Sequence, residues 1–173
     1  MARAASASTT QEVQNSAREA LGFLPNLIKE LSEHNPAAAK LYLATTNLLD
    51  EGGSLTTPEQ EVVLLTVSRY NDCHYCTSVH GKMAMSVGLD RETVETINSG
   101  GLPSDDRLRV LVQATRLMLD KRGWLDDEDL DTLKQKGVDR AELYEINALI
   151  GIKTFSNYVN HVAQTEIDSQ FEF

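Results

Sequence analysis

Cysteine is scarce in this chain: 173 residues hold two, and the two stand three apart as Cys73 and Cys76. A pair is too few for a disulfide scaffold, and a close pair in a chain expected to be cytoplasmic reads as redox or metal chemistry. Positive charge is also short. Lys and Arg number 16 against 26 Asp and Glu, for a formal charge of -10. That surface repels phosphate backbones and anionic headgroups, and no run of Lys or Arg offsets it, so nucleic acid and membrane partners are not expected. No apolar run approaches the roughly 20 residues of a membrane span. The opening "MARAASASTTQ" lacks the apolar stretch of a secretory signal and reads as a frayed tail. No segment carries a convincing strand pattern, an internal repeat or low complexity.

Helix periodicity is present almost throughout. With 41% hydrophobic and 24% charged residues, a chain of this length suits one globular domain with a substantial core. "LPNLIKELSE" predicts a short helix starting near Pro25. "NPAAAKLYLATTNLLDEGG" predicts a longer one, with Asn35 as cap, Pro36 at its first position and Gly52 or Gly53 at its end. In "TTPEQEVVLLTVSRYN", Thr57 is the expected N-cap, Pro58 the first helical residue and Gln60 the third position of a capping box. Later segments, including "SDDRLRVLVQATRLMLDKRG" and the long "DRAELYEINALIGIKTFSNYVNHVAQ", carry apolar residues at helical spacing. The expectation is an all-α fold: an N-terminal extension over 1–34, partly helical, a helical domain over 35–165, and a C-terminal tail over 166–173.

Both cysteines and two of the four histidines fall in "RYNDCHYCTSVHGK". Asn71 or Asp72 as N-cap would put Cys73 in the first turn of a helix. At about 100° per residue, Cys73, Cys76 and His80 then share one face, while His74 and Tyr75 point elsewhere. Positions three apart on a helix lie about 5–6 Å apart, within disulfide reach, which suits a reversible redox pair. The helix N-terminus favours a Cys73 thiolate, and His80 one turn below Cys76 favours a Cys76 thiolate. Spacing alone does not choose between these two nucleophiles.

Other chemistries fit less well. Attachment of a c-type haem requires His directly after the second cysteine, where Thr77 stands. A structural zinc site on Cys73, Cys76 and His80 needs a fourth ligand. A thioredoxin-type site expects a strand before the motif. The plainest alternative is that both cysteines are small buried hydrophobes and His80 a core histidine.

The stretch "EVVLLTVSRYNDCHYCTSVHGKMAMSVG" resembles the signature of the AhpD-like alkylhydroperoxidases of the carboxymuconolactone decarboxylase superfamily. That signature is Glu, eleven residues, then Cys-x-x-Cys-x-x-x-His, and it falls on Glu61, Cys73, Cys76 and His80. The lead-in "LGFLPNLIKELSEHNPAAAKLY" resembles a peroxidase-related subgroup. The resemblance implies an all-helical AhpD-like fold assembled as a homo-oligomer, trimer or hexamer. It implies that Cys76 is deprotonated through His80, with Glu61 acting through that relay. The thiolate would then attack peroxide to form a sulfenic acid, and Cys73 would condense with it to a disulfide. An external dithiol or protein reductant would reopen the bridge, and no cofactor or metal is expected. The superfamily's other named activity, lactone decarboxylation, does not depend on a cysteine pair.

One position departs from the pattern. Characterised members carry His directly before the second cysteine, and Tyr75 stands there. The expected activity is a thiol-dependent peroxidase acting on hydrogen peroxide or small organic hydroperoxides. The alternative is a metal-binding or redox-sensing helical protein, or a thiol-disulfide oxidoreductase with little peroxide turnover. Glu61 read without the resemblance is a first-turn acid favoured by the helix dipole, a place Glu59 fills equally well. His34 is expected to be structural or exposed, His161 to complement a helix C-terminus, Trp124 to anchor packing, and Met83 and Met85 to fill core.

Overall fold

A computed structural model describes residues 7–172. The chain folds into nine α-helices and a short 3-10 turn among the described residues, with no strand. The helices are α1 (Ala7–Leu21), α2 (Asn26–His34), α3 (Pro36–Gly52), α4 (Thr57–Tyr70), α5 (His74–Ser86), α6 (Arg91–Asn98), α7 (Asp106–Lys121), α8 (Asp127–Gln135) and α9 (Arg140–Ala163). The expected frayed tail is corrected over residues 7–11, which open α1; residues 1–6 lie outside the described residues. The run Val62–Leu65 is helical, as its caps and length indicated, with Val62, Val63 and Leu65 buried and Leu64 half-buried.

Two apolar clusters organise the molecule. The larger joins α4, α6, α7, α8 and the first half of α9 through residues such as Leu65, Val94, Leu111, Leu133 and Ile146. The smaller joins α1, α2 and α3 to the start of α5, and it contains Cys73, Tyr75 and Cys76 beside Val13, Leu27, Ile28 and Leu31. Phe155 and Val159 bring the second half of α9 onto this cluster. The cysteines therefore lie in a cluster built by α1, α2, α3 and the second half of α9.

The two helices that flank the cysteines are registered at their N-termini. Helix α4 begins with a capping box on Thr56 and Glu59, one residue earlier than the expected Thr57 and Gln60. Pro58 then stands second in the helix, still within the turn where a missing N–H costs nothing. Gln60 instead turns inward. Helix α9 begins with a box on Asp139 and Glu142. Arg107 of α7 binds both box acids, through Nε to Glu59 at 2.6 Å and through Nη2 to Glu142 at 2.5 Å. One guanidinium thus holds the starts of α4 and α9 side by side.

A second tie lies next to it. The buried Glu145 carboxylate of α9 accepts from the backbone N–H groups of Ser54 and Leu55 and from Gln60 Nε2, the last at 2.9 Å. A charged acceptor with three donors is a satisfied buried group, and removing one donor would leave it costly. Gly53 lies against this carboxylate. A Cβ there would meet Glu145 and would come within 2.7 Å of Gln60 Nε2. Gly53→Ala is expected to lower stability by about 1–3 kcal/mol, read as a shift of the urea midpoint at unchanged slope.

Candidate active site

Helix α4 ends in a Schellman turn. Asp72 takes the left-handed conformation (φ 52°), its N–H bonds to Arg69 O at 3.1 Å, and Cys73 N–H bonds to Ser68 O at 3.0 Å. The next residue starts α5, so Cys73 is its N-cap, with an extended backbone. This corrects the expectation that Asn71 or Asp72 caps the helix and that Cys73 lies in its first turn. The reason is that both polar side chains have other partners. Asp72 pairs with Arg69, and Asn71 Nδ2 donates to Asn157 Oδ1 at 2.9 Å. Cys73 stands at the helix mouth and Cys76 three residues inside it.

Both thiols are free and each is 1% exposed. They are hydrogen-bonded to one another, and the bond divides them. Cys76 is lowered to about 5, first by the hydrogen bond from Cys73; burial opposes this, and the charges of Lys153 and His80 add to the lowering. Cys73 moves the other way, raised by the same hydrogen bond and by burial. Asn160 Nδ2 also donates to Cys76 Sγ at 3.2 Å. Asn157 lies close enough to help hold the sulfur, although its buried Nδ2 makes no hydrogen bond of ordinary geometry.

Glu61 and His80 are brought together. His80 Nδ1 lies 2.8 Å from Glu61 Oε2, with both side chains buried. Glu59 is occupied in the capping box and by Arg107, so the two acids that looked alike in the sequence have separate tasks. The other His80 ring nitrogen, Nε2, does not face a cysteine. It meets Lys153 Nζ at 2.5 Å, and Lys153 is 2% exposed.

Lys153, Asn157 and Asn160 are the site residues that the sequence reading passed over. They lie four and three positions apart on α9, on the face that buries Ile146 and Leu149 further up. The signal was a polar stripe at helical spacing continuing an apolar one, in "IKTFSNYVN".

Tyr75 points out of the relay. Its hydroxyl donates to Asp168 Oδ2 at 2.7 Å and accepts from Leu27 N–H at 3.5 Å. Asp168 also accepts from Asn26 N–H at 3.0 Å, at the N-terminus of α2. Burial and the Asp168 bond push the Tyr75 hydroxyl up. Tyr75 thus fastens α5 to α2 and to the segment after α9. Trp124 is 86% exposed and Met83 36% exposed, which corrects their assignment to packing; both sit on the outer side of their segments. Met85 does pack on the larger cluster. Among the described residues no group of three His, Cys, Asp or Glu side chains is placed to hold a metal ion. No helix among them is long and apolar enough to cross a membrane.

Residues 36–115 match the carboxymuconolactone decarboxylase family. Solved structures share the fold over nearly the whole chain. An uncharacterized peroxidase-related protein from Silicibacter sp. TM1040 superposes with a TM-score of 0.82 at 23% identity, covering 95% of this chain and 87% of that one. An uncharacterized peroxidase-related protein with an alkylhydroperoxidase AhpD core, from Ralstonia eutropha JMP134, gives 0.83 at 19%, with the same coverage. The debrominase Bmp8 gives 0.73 at 23%, covering 94% of this chain and 88% of that one. Among curated proteins, none matches the chain.

Tyr75→Phe leaves the ring in place and removes the bond to Asp168. The expected result is a loss of about 1–3 kcal/mol in stability, with faster amide hydrogen exchange over residues 164–171. Unchanged exchange in that segment would show that the hydroxyl does not fasten it.

Proposed function

We propose that this chain, a member of the AhpD and carboxymuconolactone decarboxylase superfamily, is a thiol-dependent peroxidase acting on hydrogen peroxide or small organic hydroperoxides. The observation that carries the reading is a pair of free, buried thiols three residues apart, with Asn160 Nδ2 donating to Cys76 Sγ and the buried Glu61–His80–Lys153 chain in the same site. The Cys73 bond and the Lys153 charge lower Cys76 to about 5. A thiolate is the attacking species, so Cys76 is the nucleophile and Cys73 the resolving thiol. The Cys76 thiolate takes the terminal oxygen of ROOH, an S–O bond forms as O–O breaks, and RO⁻ leaves with the electron pair. RO⁻ then gains a proton to become ROH. Cys73 condenses with the Cys76 sulfenic acid, releasing water and forming the disulfide. An external dithiol reduces the bridge and is itself oxidised to a disulfide.

Access is short. A cleft of about 570 Å³ between α2 and α9 is lined by Leu31, Phe155 and Val159. The same three residues pack in the cluster that holds the sulfurs. An apolar mouth of this kind admits a small alkyl hydroperoxide. The reading also carries a homo-oligomer, trimer or hexamer, and exposed Leu41, Tyr144, Tyr158 and Val162 supply apolar surface for it. Burial of both sulfurs favours a second reading, a redox sensor that oxidises once and turns over slowly.

Two variants test the proposal. Cys76→Ser should abolish peroxide consumption with a dithiol donor. Cys73→Ser should stop at a sulfenic acid on Cys76, seen as a dimedone adduct by mass spectrometry. Full activity in Cys76→Ser would remove the assignment, and a single stoichiometric oxidation without turnover would favour the sensor. Sedimentation at three or six times the monomer mass is the expected result for the assembly.

A further inference from the structure

His80 has no ring nitrogen left for the sulfur it is expected to deprotonate. Nδ1 faces the Glu61 carboxylate and Nε2 faces the Lys153 ammonium. A carboxylate accepts and an ammonium donates, so a neutral His80 carries its proton on Nδ1 and accepts from Lys153 at Nε2. The imidazole is thus connected to Lys153, and Asn160, on the same face of α9, donates to Cys76 Sγ at 3.2 Å, which brings the Lys153 charge to bear on that sulfur.

The burial of Lys153 makes the same point. No other lysine among the described residues is buried. An isolated ammonium in the interior is strongly unfavourable, so the side chain requires anionic or accepting neighbours. His80 of α5 touches it, and Tyr42 of α3, Glu61 of α4 and Cys73 and Cys76 at the start of α5 act on it electrostatically. Burial works to lower the Lys153 ammonium, and the electrostatic pull of Tyr42, Cys76, Glu61 and Cys73 outweighs it.

We infer that Lys153 is the relay residue that carries the proton between Cys76 and His80. The inference rests on Cys76 being the attacking sulfur of the reaction proposed above. Lys153 gives a proton to His80 Nε2 and takes one from the Cys76 thiol. Cys76 is left as a thiolate, Lys153 is an ammonium as before, and His80 is an imidazolium against Glu61. One anion and one cation become two of each, and no net charge enters the interior. When the O–O bond breaks, Lys153 protonates the departing RO⁻ and draws the proton back from His80. The electron pair stays with the departing oxygen and the sulfur is oxidised.

The test uses the intact chain and a probe that needs no peroxide. Iodoacetamide alkylation of Cys76 is followed by mass spectrometry across pH. In the wild type the rate should be half-maximal near pH 5. Lys153→Met should move that midpoint up by about two units and cut alkylation at pH 6 about tenfold. Lys153→Arg keeps the charge but cannot release a proton, so it should restore the midpoint while peroxide turnover stays at least about tenfold below wild type. An unmoved midpoint in Lys153→Met, or wild-type turnover in Lys153→Arg, overturns the relay. If neither variant folds, nitrogen NMR of His80 in the wild type decides. The imidazolium should be present with Cys76 free and give way to the neutral Nδ1–H form once Cys76 is alkylated, and an unchanged His80 spectrum overturns the relay. A shifted midpoint together with no peroxide turnover in any form supports the Lys153 link and overturns the peroxidase reading instead.

Discussion

A lysine ammonium enclosed by protein has to be balanced where it stands, and much of this molecule is arranged around that requirement. Lys153 is 2% exposed. Its neighbours are a carboxylate reached through an imidazole and a pair of sulfurs able to share one negative charge. Water would screen these groups to near indifference; in the interior, the lysine and the two sulfurs bias one another's protonation. The acidity of Cys76 is therefore a property of α4, α5 and α9 together rather than of the motif that contains it.

That dependence explains why the distant ends of α4 and α9 are so firmly tied. Glu61 lies near the start of α4 and Lys153 in the second half of α9, so the relay reads the relative position of the two helices. Arg107 locks their first turns together, and Glu145 binds α9 to the loop that leads into α4. Neither tie touches the sulfurs. A slide of α9 by one residue, about 1.5 Å, would take Lys153 out of reach of His80. Stability in this region and alignment of the site are consequently the same property.

How far the site was legible in the sequence differs from residue to residue. The all-helical architecture was readable because its helices carry caps and periodic apolar faces, and a cap shift of one residue at Thr56 changes nothing that follows. The pairing of Glu61 with His80 was readable because the signature carries its own spacing. Lys153 was not, since nothing local distinguishes a lysine on an apolar helix that snorkels to solvent from one that ends inside. Only tertiary packing decides, here through Tyr42 and the start of α5. Tyr75 was recognisable as a departure, but its task was not, because its partners Leu27 and Asp168 stand 48 and 93 residues away. The cap of α5 was misplaced for a local reason: a left-handed Asp72 is a Schellman feature, and rules for helix starts do not anticipate a helix that begins where another is still closing.

Cys73 belongs to both of those helices. Its N–H completes the turn that ends α4, and its extended backbone opens α5, while Cys76 is fixed by a full helical turn. One sulfur hangs from a joint and the other from a beam. In the proposed reaction, rotation about Cys73 would make and unmake a crosslink with α5 held still, and wear from repeated cycling would fall on the linker at residues 71–73 and spare the scaffold.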